Sequence, residues 1–381
     1  MSLLRKESGV EVWRKVETPA FLVERRKVES NCARMLEKAK RSGAGFRPHV
    51  KTHKTIEGAK LQHGGRIGPI TVSTLAEGEF FADAGFSDIT YAVPIAPARL
   101  TRAVALATRV ERLNLLIDHR DALEAIESFH RHTGTVLDCF LKVDCGYHRS
   151  GVDPTSPETF ELVDRLAGSP AIRLRGLLTH AGHSYDARTK DEVLRIAAEE
   201  GECLTRLADG LNAGGISGLT RSIGSTPTMS IPEMIAPADE IRPGNYVFHD
   251  AFQASLGSCS LDDCAVTVLT TVIGCHPDHL VIDAGALALS KDLGRGDRGG
   301  ETSYGIVLDI AMNPLPLRLV TLSQEHGKVI SGGAADLERF PIGTVLRIIP
   351  NHSCLTAAMF DRYVVIENDA IVDEWRPVRG W

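Results

Sequence analysis

Apolar and β-branched residues gather in eight short runs between positions 46 and 245, at 46–51, 70–74, 89–93, 113–117, 137–144, 174–180, 220–224 and 240–242. Most runs are followed by a longer stretch in which apolar positions recur every three or four residues among charged ones, the period of an amphipathic helix. That period is clearest over 29–42, ahead of the first run, and over 191–211. Strands and helices alternating in this order predict an α/β fold, a (β/α)8 barrel of parallel strands coated by helices. Beyond residue 246 the pattern changes. Strand-like stretches at 265–273, 279–282, 345–349 and 363–366 are separated by Gly, Pro and Asn, and no long helical pattern intervenes. A mainly β domain is expected there. The charges and glycines of 293–300 read as a surface loop, because no helix start follows to hold a phosphate.

Length agrees with that division. The chain has 381 residues, more than a barrel of about 250 residues needs and enough for a smaller second domain. The barrel is assigned to 20–245 and the β domain to 246–381. A net charge of -6, with no block of like charge, argues against nucleic acid or an anionic membrane as partner. Neither a membrane-length apolar run nor a signal-peptide core is visible, so a soluble cytoplasmic protein is expected. Eight cysteines are scattered rather than spaced as a disulfide framework. Cys259, Cys264, Cys275, His276 and His279 lack the paired knuckle of a structural zinc site and read as buried packing.

Chemistry in such a barrel belongs at the carboxyl ends of the strands. The first run ends in PHVKTHK, where His49, Lys51 and His53 alternate and, in a strand, share one face. A lysine among histidines in a barrel mouth can have its pKa lowered enough to condense with an aldehyde, although a solvated strand-end lysine would look the same. The seventh run ends in SIGSTPT and the eighth in RPGNY, so Gly224, Ser225, Thr226, Gly244 and Asn245 form the expected phosphate cup. The fifth and sixth runs end in KVDCGYHRSG and THAGHSY. There His180 could lie under a bound pyridine, Tyr185 could reach its nitrogen and Arg149 could face its phenolic oxygen. In the β domain PNHSC places His352 and Cys354 two positions apart. In an extended segment both would point one way and grip one ion, zinc being the metal that imidazole with thiolate favours.

Taken together, TPAFLVE, RPHVKTHK, TVSTLAEGEFF, HRSGV, LTHAGHSY, SIGSTPT, RPGNYVF, VIDAG, QEHG and PNHSC resemble the D-threonine aldolase and eukaryotic-type D-serine dehydratase family over almost the whole chain. These are pyridoxal-phosphate enzymes with an alanine-racemase-like barrel. The resemblance implies that Lys51 carries pyridoxal 5'-phosphate and that His352 and Cys354 bind a divalent metal, zinc or manganese, at the active site. It also implies that residues 1–19 join the β domain and that two chains pair head to tail as a homodimer. His-x-Cys and SIGSTPT resemble the dehydratases of D-serine and D-threo-3-hydroxyaspartate, whereas the aldolases carry His-x-Asp and a GGGTGS-like loop. Dehydration of a D-3-hydroxy amino acid to a keto acid and ammonia is therefore expected. Retro-aldol cleavage to glycine and an aldehyde is the alternative, and a non-catalytic pyridoxal-phosphate carrier ranks lower. Alanine racemase chemistry ranks low as well, since it needs a second base and no metal. Gln324, Glu325 and His326 of QEHG are candidates for the metal's outer shell.

Overall fold

Seventeen strands and the helices between them make up the computed structural model, which describes residue 13 and residues 16–294, 302–331 and 337–381. The strands are β1 (Ala20–Glu24), β2 (Gly45–Phe46), β3 (Ile70–Val72), β4 (Asp88–Pro94), β5 (Arg112–Ile117), β6 (Leu137–Lys142), β7 (Ile172–Leu178), β8 (Thr220–Ile223) and β9 (Glu240–Ile241). They continue as β10 (Val266–Cys275), β11 (Leu280–Ile282), β12 (Gly305–Leu308), β13 (Pro314–Leu322), β14 (Gly327–Ser331), β15 (Val345–Pro350), β16 (Tyr363–Glu367) and β17 (Ala370–Trp375). Two compact units result, one of Cys32–Tyr246 with Val378–Trp381, the other of Val247–Pro377 with the described residues up to Asn31.

In the first unit β2 to β9 pair in parallel in the order β2, β9, β8, β7, β6, β5, β4, β3. A parallel bridge between His49 and Thr71 joins the ends of that sheet, so the barrel closes where the first strand gives way to the lysine loop. Every residue of β6 is buried, as a strand with a packed barrel interior on one side and helices on the other requires. Helix Lys190–Ala213 shows why the 3.6-residue period was readable. It buries Val193, Ile196, Ala197, Leu204, Leu207 and Leu211, and the Thr189 hydroxyl caps it by accepting the amide of Glu192 at 3.1 Å. Seven of the eight expected runs carry a strand displaced by no more than two residues at either end. The first does not. Its strand stops at Phe46, and Lys51 lies in a 3-10 turn, Val50–Thr52, so the extended run expected over 46–51 is corrected.

The second unit is built on a nine-stranded sheet in the order β11, β14, β13, β12, β15, β10, β1, β16, β17, and a further β10–β11 pairing closes six of its strands into an antiparallel barrel. Strand β1, which falls inside the segment assigned to the parallel barrel, pairs here with β10 and β16. Trp13, Ala20, Leu22, Leu269 and Ile366 form one core cluster of this unit. Between Val247 and Pro377 the helices of the described residues are short, Ala251–Leu256, Ala286–Leu289 and Ser353–Ala358. Residues 295–300 of the expected surface loop lie outside the described residues. No helix among the described residues is long and apolar enough to cross a membrane.

Candidate active site

His49 caps the 3-10 turn that presents Lys51. Its ring Nδ1 accepts the Lys51 amide at 3.3 Å, and its own amide donates to Pro243 O at 2.9 Å, tying the first strand's end to the last. Diverting the Lys51 amide to a side chain ends strand pairing here, which the alternation of His49, Lys51 and His53 did not disclose. His53 consequently leaves the shared face. It is fully buried, accepts the Thr55 amide on Nδ1 at 3.1 Å and faces Gln62 Oε1 across 3.2 Å. Burial lowers its pKa to about 4.

His180 stands at the end of β7 and donates from Nδ1 to Gly224 O at 2.9 Å. Burial, then the charge of Lys51, then those of Arg149 and Lys142 push its pKa well below the usual histidine value. His49 is lowered likewise by burial, Lys51, Arg242, His180 and Lys54. Both rings therefore stay neutral at physiological pH.

The expected phosphate cup divides in two. Gly224 donates its amide to Glu200 Oε1 at 3.1 Å and gives its carbonyl to His180, while Ser225 donates its amide to Thr228 Oγ1 at 3.1 Å. Those two residues build the turn rather than offer amides to a ligand. Gly224 is required by its φ of +137° and because a Cβ would stand 2.9 Å from the Arg242 amide. Thr226 Oγ1 accepts the Tyr246 amide at 3.1 Å and keeps its proton for donation. Gly244, where a Cβ would meet His49 Cβ at 3.0 Å, allows the loop after β9 to approach the lysine turn. The Thr226 hydroxyl thus gives the turn after β8 a donor that suits a phosphate, and the barrel residues fit a pyridoxal-phosphate group.

Arg149 is exposed, its guanidinium 5.0 Å from the Tyr147 ring centroid. Tyr147 in turn meets His180 edge-on at 6.2 Å and occupies the space that a Cβ on Gly182 would take. Tyr185 ends the 3-10 turn Gly182–Tyr185 after β7, half-buried. Two groups of the barrel were not singled out from sequence. Lys142, buried at the end of β6, donates to Val143 O at 3.0 Å, and burial brings its pKa to about 8. Glu200, buried on helix Lys190–Ala213, accepts from Ala181, Gly224 and Thr228. Nothing in the local pattern marks either, since one looks like a strand residue and the other like a helix surface glutamate.

In the second unit His352 and Cys354 are not in an extended segment. The strand stops at Pro350, His352 stands at the residue before helix Ser353–Ala358, and Asp250 Oδ2 holds the turn by accepting the Ser353 amide at 2.9 Å. The two side chains nevertheless come within hydrogen-bonding reach. His352 Nδ1 donates to Asp292 Oδ2 at 2.8 Å, and Asn351 Nδ2 fixes that segment through Asp292 O at 2.9 Å. Burial opposes a charge on His352, but Asp292, Cys354 and Asp250 outweigh it and raise its pKa to about 10. A carboxylate on Nδ1 leaves Nε2 for a metal, the arrangement that orients metal-bound histidines, so the donor set fits a divalent ion. Asp292 supplies this support from sixty residues away. Gln324, Glu325 and His326 form the exposed turn between β13 and β14 instead.

The five cysteines and histidines expected to be buried are corrected in part. Cys264 is buried and Cys259 half-buried, but Cys275 and His276 are exposed at the β10–β11 turn, where the rings of His276 and His279 stack at 4.3 Å. Among the described residues no three His, Cys, Asp or Glu side chains form a metal cluster.

The alanine racemase N-terminal domain family matches residues 23–251, and a serine dehydratase domain family matches 265–366. The D-serine dehydratase of Dictyostelium discoideum is 39% identical, covering 96% of this chain and 98% of its own. The D-threo-3-hydroxyaspartate dehydratase of Delftia sp. (strain HT23) is 37% identical with the same coverage. Its solved structure superposes with a TM-score of 0.91 at 36% identity, covering 97% of this chain and 99% of that one. A further structure of such a dehydratase is of a cysteine-to-alanine variant in a metal-free form. A D-threonine aldolase of Arthrobacter sp. is 25% identical, covering 95% of this chain and 92% of its own.

Proposed function

Because the chain belongs to the family that joins an alanine racemase N-terminal domain to a serine dehydratase domain, we propose that it eliminates water from a D-3-hydroxy amino acid. D-serine and D-threo-3-hydroxyaspartate are the substrates to test, with a keto acid and ammonia as products. Its class, a pyridoxal-phosphate-dependent lyase, is that of the dehydratases and aldolases related to it. The observation that carries dehydration is the imidazole and thiol of His352 and Cys354, brought together and backed by Asp292.

When bound, pyridoxal phosphate supplies an electron sink for the substrate's α-carbon and the metal supplies Lewis-acid stabilisation for a departing hydroxide. Lys51 would hold the cofactor through Nζ and would be the base that takes the proton from the substrate's α-carbon. Thr226, Gly244 and Asn245 would hold the phosphate. His49 and His180 stay neutral and so do not add positive charge next to the base. His352 and Cys354 would bind the ion, zinc being favoured by that donor pair. Asp292 keeps His352 Nδ1 occupied and would leave Nε2 to the ion.

The purified chain would be incubated with pyridoxal phosphate, zinc or manganese, and in turn D-serine, D-threo-3-hydroxyaspartate and D-threonine. Keto acid with equimolar ammonia is expected. Glycine with an aldehyde would replace this reading with an aldolase, and cofactor attachment without any product would leave a carrier. Cys354→Ala should lose elimination while the cofactor stays attached to Lys51.

A further inference from the structure

Glu200 is wholly buried, a costly place for a carboxyl unless hydrogen bonds compensate. Three donors meet it. Oε1 accepts the amides of Ala181 at 2.9 Å and Gly224 at 3.1 Å, and Oε2 accepts the Thr228 hydroxyl at 2.9 Å. The first donor follows β7, and the other two follow β8. From these contacts the connections run on: His180 Nδ1 to Gly224 O at 2.9 Å, the Ser225 amide to Thr228 Oγ1 at 3.1 Å, and the Tyr246 amide to Thr226 Oγ1 at 3.1 Å. A single side chain from helix Lys190–Ala213 thereby fixes the segments that carry His180 and Thr226 and, through Tyr246, the one that carries Gly244 and Asn245.

We propose that Glu200 is the positioning residue for the phosphate end of the cofactor, acting through the Gly224–Thr228 turn. A carboxylate in direct contact with a phosphate dianion would repel it. Glu200 instead engages the backbone of Gly224 and the hydroxyl of Thr228, and so sets where the Thr226 hydroxyl stands. This rests on the reading of the barrel as the pyridoxal-phosphate site.

The test compares the dissociation constants of pyridoxal phosphate and of pyridoxal, which lacks the phosphate, for the full chain and for Glu200→Gln and Thr228→Val, with thermal midpoints measured in parallel. An amide offers one acceptor oxygen where the carboxylate offers two, so Glu200→Gln keeps the two backbone amides only by donating from its NH2 to Thr228 Oγ1, which reverses that hydrogen bond and turns the Thr228 hydroxyl proton elsewhere in the turn. Pyridoxal phosphate should bind about tenfold more weakly to Glu200→Gln, while pyridoxal binding stays unchanged, so that the preference for the phosphorylated form collapses. Thr228→Val, which removes the hydroxyl that links Glu200 Oε2 to the Ser225 amide and leaves the two backbone amides on Oε1, should move the ratio in the same direction and decides the matter if Glu200→Gln does not fold. A purely structural role would lower the thermal midpoint or weaken both aldehydes alike, leaving the ratio intact, and that result overturns the proposal. A parent chain with no preference for pyridoxal phosphate over pyridoxal would overturn both this inference and the site reading beneath it. An intact parent preference with an unchanged ratio in the variants overturns this inference alone.

Discussion

His53 offers a prediction whose size follows from its surroundings. The ring packs against Gly58, where a Cβ would stand 2.5 Å from Nδ1, and both nitrogens are engaged, Nδ1 as acceptor of the Thr55 amide and Nε2 opposite Gln62 Oε1. Adding a proton to Nδ1 would set two N–H groups against each other in a buried site. Burial accordingly holds the folded pKa at about 4, against an ordinary value of 6.5. Between those values the unfolded chain binds the extra proton, so this group withdraws stability as pH falls through that window and is neutral towards stability above it. From about pH 7.5 to about pH 5 the loss amounts to about 2 kcal/mol for this residue. The measurement is urea unfolding at both pH values for the parent chain and for His53→Phe. The variant loses two hydrogen bonds at neutral pH but should show an acid-dependent loss smaller by about 2 kcal/mol. A nuclear magnetic resonance titration of the ring places the pKa directly. Titration near the ordinary value, or equal acid losses in the two proteins, would refute the account. Cofactor attachment should be the same in both, since the His53 ring is engaged by Thr55 and Gln62.

Other changes test the sites. Asp292→Asn should weaken metal binding about 10- to 100-fold in a chelator-competition titration, and unchanged affinity would exclude Asp292 from supporting His352. Lys51→Ala should abolish the covalent adduct seen by mass spectrometry after borohydride reduction with pyridoxal phosphate. If the adduct instead persists on Lys142, whose pKa of about 8 also suits an amine nucleophile, Lys142 is the carrier. Gly182→Ala places a Cβ 2.2 Å from the Tyr147 ring and should cost about 1–3 kcal/mol in urea unfolding. No loss of stability would mean that Tyr147 has another place to go.

The family motifs pointed to Lys51, His352 and Cys354, but local reasoning about their geometry failed in the same way at each. Both arguments assumed an extended chain, and in both places a side chain takes over a backbone amide: His49 captures that of Lys51, and Asp250 that of Ser353. Period-two alternation carries no information about such captures, because the capturing group is chosen by tertiary proximity. Gly224 and Ser225 failed differently. They were placed at the right turn, yet Glu200 and Thr228 use their amides.

The sequence by itself determined the order of strands and helices, because burying one face imposes a period of two or 3.6 that survives in any single chain. It also marked the lysine turn and the His-x-Cys pair through local motifs, whose residues are neighbours in the chain. Only the tertiary structure decided which groups support them. Glu200 stands 24 residues from Gly224, Asp292 stands 60 from His352, and β1 stands 246 from the start of β10 with which it pairs. Such partners are brought together by packing of whole elements, and no periodicity along the chain encodes a meeting at those separations.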